Sequence, residues 1–169
     1  MWAGPMGMRG MFASGEHAAG TCRFDLSMTT TRPAAAVYEL LADIQDAEPI
    51  PRRARVTMVK EPSGPTGVGT RWHERVRLGP GWWLTVDSVV TEADEPHRLG
   101  MDFHSRWFTG HLTYDVLTAG HGSLLRQRET LRPRVLRRVL VPVLERRLGP
   151  RLEQRLVDLT QLLEDRHGS

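Results

Sequence analysis

The sequence predicts an α+β fold in which a seven-stranded antiparallel sheet curls around one long C-terminal helix. Three observations carry this. One short apolar helix near the start is followed by a series of strand-like runs joined by short turns rich in Gly and Pro. Links that short join antiparallel neighbours, because a parallel crossover needs a dozen residues or more. A stripe of leucines at helical period then closes the chain, and no other segment is long enough to give the sheet an apolar cover.

Each element has its own signal. From Cys22 to Met28, Phe24, Leu26 and Met28 alternate with polar residues, as in a half-buried strand. Thr30 and Thr31 are caps for a helix that opens with Pro33 in its first turn, where a missing N–H costs nothing. Val37, Leu40, Leu41 and Ile44 recur at helical spacing, and the helix is expected to end between Asp43 and Asp46. Pro49 and Pro51 leave room for at most one short turn. The second strand is read over Arg55 to Lys60, followed by a turn from Glu61 to Gly69. The third, Thr70 to Leu78, puts Trp72, Glu74, Val76 and Leu78 on one face and Arg71, His73, Arg75 and Arg77 on the other. Gly79-Pro80-Gly81 turns the chain into the fourth, Trp82 to Glu92. His97 to His104 and Trp107 to Leu117 are the fifth and sixth. Gly120 to Gly122 leads to the seventh, Ser123 to Arg132. From Arg134 to Arg166 the period is helical, with Leu136, Leu140, Val143, Leu144, Leu148, Leu152, Leu156, Leu159 and Leu163 in one stripe. Pro142 and Gly149–Pro150 predict kinks or a break there.

The totals fit one domain. At 169 residues, with 40% hydrophobic and 25% charged residues, the chain can bury a sizeable core. No run approaches the roughly 20 apolar residues that cross a bilayer. Residues 1–20 lack a continuous apolar segment, which argues against a signal peptide. They are read as a disordered extension, with residues 21–169 as the domain. The crowding of Met1, Met6, Met8 and Met11 there fits a later translation start. The single cysteine, Cys22, excludes an internal disulfide and points to the cytoplasm. The formal net charge is only +3, and Lys60 is the sole lysine, so the arginine bias is not taken as a sign of nucleic-acid binding.

Several segments together resemble a known family. They are Pro33-Ala-Ala-Ala-Val-Tyr-Glu-Leu-Leu-Ala-Asp43, the turn Gly64-Pro-Thr-Gly-Val-Gly-Thr70, Val89-Val-Thr-Glu-Ala-Asp-Glu-Pro-His-Arg-Leu99 and the hairpin at Gly122-Ser-Leu-Leu125. In order and spacing the chain is similar to the START-like (SRPBCC) superfamily, polyketide cyclase/dehydrase-like bacterial group, over about residues 22 to 166. The resemblance implies a helix-grip fold, with the seven-stranded antiparallel sheet wrapped around the long C-terminal helix and an apolar cavity between them. That superfamily includes lipid carriers, hormone receptors and aromatic cyclases, so the fold alone names no reaction.

With the apolar face of each strand turned inward, the expected ligand-binding wall includes Trp72, Val76, Trp82, Leu84, Val86 and Ser88 from the third and fourth strands. Met101, Phe103, Phe108, Leu112 and Gln127 continue it, and Leu140 and Leu144 face it from the helix. Glu74, Tyr114 and Glu129 are the candidate catalytic residues, since a carboxylate on an apolar face must be paired, protonated or wet. A desolvated Glu can move protons on a carbonyl ligand. The alternative is a structural ion pair or a rim position, for which Arg126 and Arg128 are close in sequence. His73, His104 and His111 fall on outward faces of separate strands, and no metal is expected there because zinc needs three or four convergent ligands. The Gly64–Gly69 segment precedes a strand and is a turn, not a phosphate loop. No cofactor is expected, and a catalytic role for Cys22 is not.

Trp82-Trp83 and Trp107-Phe108 follow tight turns, and two readings stand: a frame around a cavity mouth, or plain core packing. Arg134, Arg137, Arg138, Arg146 and Arg147 form either the solvated face of the last helix or a basic surface making transient contact with a membrane. The expected partner is a hydrophobic small molecule such as a lipid or polyketide-like compound, with no nucleic acid. A carrier is the leading reading, a cyclase or dehydratase using Glu74, Tyr114 and Glu129 the second, and an interaction module built on the arginine helix the third.

Overall fold

A computed structural model describes residues 20–43, 56–134 and 137–165. It contains β1 (Cys22–Thr30), α1 (Ala34–Ala42), β2 (Val56–Glu61), β3 (Arg71–Gly79), β4 (Trp82–Asp94), β5 (Arg98–Ser105), β6 (Phe108–Ala119), β7 (Gly122–Pro133) and α2 (Arg137–Asp165). Every strand pairing is antiparallel, in the order β1-β7-β6-β5-β4-β3-β2. This is the helix-grip arrangement. The expected extension, apart from Gly20, and the short turn around Pro49 and Pro51 lie outside the described residues.

Alternation fixes which face is inside. Phe24, Leu26 and Met28 of β1, Leu99, Met101 and Phe103 of β5, Leu112, Tyr114 and Val116 of β6, and Leu125 and Leu131 of β7 are all buried. They share the concave face, and cross-strand partners such as Leu99 with Tyr114 and Met101 with Leu112 line up in rows. Gly110 completes one row: a Cβ there would lie 2.2 Å from the Phe103 ring, so the missing side chain is what lets that ring lie flat on β6. Phe108 meets Phe103 edge to face, with centroids 6.1 Å apart.

α1 closes one end of the concave side. Val37, Tyr38, Leu40 and Leu41 are buried, and the helix packs on β5, β6 and β7. Its C-terminal end is tied down by the Thr66 hydroxyl, which donates to the Ala42 carbonyl at 2.5 Å, and by Lys60, 3.4 Å from Asp43. The expected threonine cap does not form. Thr30 is the last residue of β1 and Pro33 occupies the N-cap without a side-chain cap bond, its carbonyl accepting from Ala36 and Val37 instead.

α2 runs unbroken for 29 residues, about 44 Å, through Pro142 and Pro150. The predicted break is absent because each proline removes one backbone bond while the remaining ladder holds the helix. Leu156, Leu159 and Leu163 are buried, with Leu152 and Leu162 partly so. Among the described residues α2 packs on β1, β7 and α1, and it makes no comparable set of contacts with β3, β4 or β5. Leu84, Val86 and Phe108 keep accessible surface on the concave side.

Candidate functional site

The polar exceptions on the concave face come together. Tyr114 and Gln127 are direct partners across β6 and β7, and Glu129 pairs with Leu112 two residues further along. Phe24 and Leu26 of β1 flank this row. Gln127 is 1% exposed, and its amide Nε2 donates to Glu129 Oε2 at 3.3 Å. The Gln127 Oε1, the Tyr114 hydroxyl and the Trp72 indole Nε1 are buried with no hydrogen-bond partner among the described residues. Most buried polar atoms are paired, so three orphans on one concave face are informative.

α2 supplies a residue the sequence reading overlooked. Arg155 acts electrostatically on Tyr114 and Glu129 and is acted on by Glu74, which places its charge on the concave side of the sheet. It also retains accessible surface. Arg155 follows Leu152 by three residues and precedes Leu159 by four, so it interrupts the apolar stripe. That interruption was the signal.

The environment sets protonation. Burial pushes the Glu129 carboxyl above the usual carboxylate range, with Arg155 and the Gln127 hydrogen bond acting the other way. Burial also pushes Tyr114 up, opposed by Arg155 and assisted by Glu129 and Glu74, so Tyr114 is a neutral phenol that donates. The Arg155 pKa is raised, first by the charge an ionised Tyr114 would carry and then by Glu74 and Glu129, against burial, so the guanidinium stays protonated. The site can therefore offer a ligand oxygen a phenolic O–H and a guanidinium, beside a carboxyl that keeps its proton to higher pH than usual.

A pH-dependent stability follows. Glu129 holds its proton more tightly in the folded chain than at the unfolded value of about 4.3. Its contribution is intact below that value and is lost as pH rises through the folded one. Glu129→Gln should thus melt higher than the parent at pH 7, by about 2–4 °C if about 1 kcal/mol is regained, with the gap closing in acid. A parent that melts above the variant at pH 7 would refute this balance.

Other expected residues divide. Trp72, Met101, Phe103, Leu112 and Gln127 are buried on the concave face, while Leu84, Val86, Ser88 and Phe108 are half-buried. The side chains of Val76, Trp82, Leu140 and Leu144 lie outside the described ones. Arg126 and Arg128 do not reach Glu129: alternation turns them outward, where they bind Asp25 and Asp115. Arg126 holds the Asp25 carboxyl below its usual range, against burial. His73 Nδ1 is 2.5 Å from Asp87 and His111 Nδ1 2.7 Å from Asp102, all outward. Among the described residues no group of three or more His, Cys, Asp or Glu is arranged to hold a metal ion. Nor is any described helix long and apolar enough to cross a membrane. Trp83 and Trp107 lie partly exposed, and Phe108 packs on the core.

The fold and the concave site define a helix-grip protein of the START-like superfamily. Residues 21–164 match the family described as polyketide cyclase / dehydrase and lipid transport, and the chain belongs to it. No curated protein matches it in sequence. Among solved structures it is similar to protein Ms6760 from Mycobacterium smegmatis, with 17% identity and a TM-score of 0.64 over 90% of this chain and 97% of that one. It is also similar to Ara h 8.0201, with 15% identity and a TM-score of 0.58 over 86% and 97%. A norcoclaurine synthase point mutant from Thalictrum flavum, in complex with a transition-state analogue, matches at 12% identity and a TM-score of 0.64 over 89% and 99%. At these identities the likeness is one of fold.

Proposed function

We propose that this chain is a cytoplasmic binding protein for a hydrophobic or aromatic small molecule with one polar end, held between the concave sheet and α2. The observation that carries the reading is the set of orphaned polar atoms beside Arg155 on an otherwise apolar face. Apolar ligand surface buried there contributes about 25 cal/mol per Å² before ordering costs. A hydroxyl at the polar end can accept from the Tyr114 O–H and donate to Gln127 Oε1, whereas a carbonyl can accept from Tyr114 alone. Family membership supports the same class of ligand.

The test is direct. Native mass spectrometry of the purified chain should reveal a bound molecule, and an environment-sensitive dye should bind the parent. Val86→Trp, which fills the proposed site from β4, should weaken dye binding at least tenfold while leaving the circular dichroism spectrum intact. Undiminished dye binding by the variant places the ligand elsewhere.

A second reading, a cyclase- or dehydratase-type enzyme, is favoured by one observation: the raised Glu129 carboxyl beside a neutral Tyr114 and a cation. In that case Glu129 delivers a proton to a ligand oxygen and Arg155 stabilises charge that develops on it. The enzyme among the fold's solved relatives supports such use of the scaffold. Turnover of a polyketide-like substrate that is equal in parent and Glu129→Gln removes this role.

A further inference from the structure

We propose that the end of the sheet carrying Trp83 and Trp107 docks the protein on an anionic lipid bilayer. This is the end where β3 turns into β4 and β5 into β6. Trp83 is 37% and Trp107 39% exposed, in a molecule that buries most of its large apolar side chains. Each ring carries guanidinium groups. Arg75 lies 4.8 Å and Arg77 5.9 Å from the Trp83 centroid, and Arg106 lies 5.3 Å from that of Trp107. Between the rings runs an open groove of about 600 Å³, bordered by Arg134, whose backbone N–H bonds the Trp107 carbonyl at 2.8 Å.

The charge on this end is unbalanced. Elsewhere on the outer face three arginines are matched with carboxylates, Arg98 at 3.0 Å and Arg128 at 2.5 Å from Asp115 and Arg126 on Asp25, while Arg23, Arg71 and Arg132 stand singly on separate strands with no tryptophan ring beside them among the described residues. Arg75, Arg106 and Arg134 have no carboxylate partner among the described residues. Asp87, which lines the groove, is taken up by His73 at 2.5 Å and faces His104 at 3.7 Å. Tryptophan favours the boundary between water and lipid, where its ring is apolar and its N–H remains wet. Arginines beside it are drawn to an anionic leaflet. Apolar rings and unmatched cations at one end of the molecule fit that boundary better than they fit water. The basic surface foreseen on the last helix is thereby placed on the strand ends, and the assignment does not depend on what the concave site binds.

Flotation of the full chain with vesicles tests this. The chain should float with phosphatidylcholine vesicles containing phosphatidylserine, remain behind with phosphatidylcholine alone, and detach as salt rises. Replacing Arg75, Arg106 and Arg134 with Gln should weaken binding about fivefold each and about a hundredfold together. Trp83→Ser combined with Trp107→Ser should abolish flotation with an unchanged thermal melt; should that double variant misfold, the exposed arginine variants decide alone. No flotation of the parent, or flotation that survives the arginine changes, overturns the proposal. So does loss of flotation in Arg146→Gln alone, which would place the contact on α2. Heparin binding as tight as vesicle binding and indifferent to the tryptophans would mark a general polyanion site and overturn it as well.

Discussion

Gly122→Ala should destabilise the fold by about 3 kcal/mol, a large share of the roughly 5–15 kcal/mol that holds a domain together. Gly122 opens β7, and a Cβ at this position would lie 2.0 Å from the Thr30 carbonyl oxygen and 2.8 Å from the Thr31 Cα. Both are backbone atoms, so no side chain can swing aside. Relief requires that the end of β1 move away from β7, next to the bond that the Ser123 hydroxyl donates to the Arg32 carbonyl at 2.6 Å. The urea midpoint should fall sharply. Gly67→Ala is the control, because nothing lies within 4 Å of a Cβ there. Equal midpoints for the two variants would show that the β1–β7 seam yields without cost.

Arg155→Met should alter the concave site most. The substitution keeps an unbranched chain on α2 and removes the one positive group among the described residues that acts on both Glu129 and Tyr114. Arg155 draws both of their pKa values down, so both should rise in the variant. Carboxyl carbon shifts followed by NMR should show Glu129 titrating at higher pH than in the parent. A ligand whose polar end is read by the guanidinium should lose about 1.5–3 kcal/mol, or roughly ten- to a hundredfold in affinity. An unmoved Glu129 titration would mean that Arg155 does not reach the cluster.

The strand order and the inward residues were legible because a period of two is a strong local signal. Trp72, Leu99, Met101 and Tyr114 fell inside as alternation required. Arg155 was missed because arginine on a helix is usually a solvated residue with its stem laid along the surface, and nothing local separates it from Arg146. Only the position of Leu152, Leu156 and Leu159 around it marks it as inward. Arg126 and Arg128 misled for the opposite reason: near Glu129 in sequence, they belong to the other face of the same strand. The irregularities at Arg77/Gly79 and Val90/Glu92 carry no sequence signature, since register there depends on the facing strand.

The pairing of β1 with β7 has a consequence for synthesis. Asp25 and Arg126, bound to each other on this seam, are 101 residues apart. The strands from β2 to β7 can zip together hairpin by hairpin as they leave the ribosome, but β1 emerges long before the neighbour that completes it. Its amphipathic stretch must wait until most of the polypeptide has been made, and α2, which lies across it, comes later still. A nascent chain therefore presents a chaperone with an unpaired β1 until β7 has emerged, and α2 closes over the pair after that.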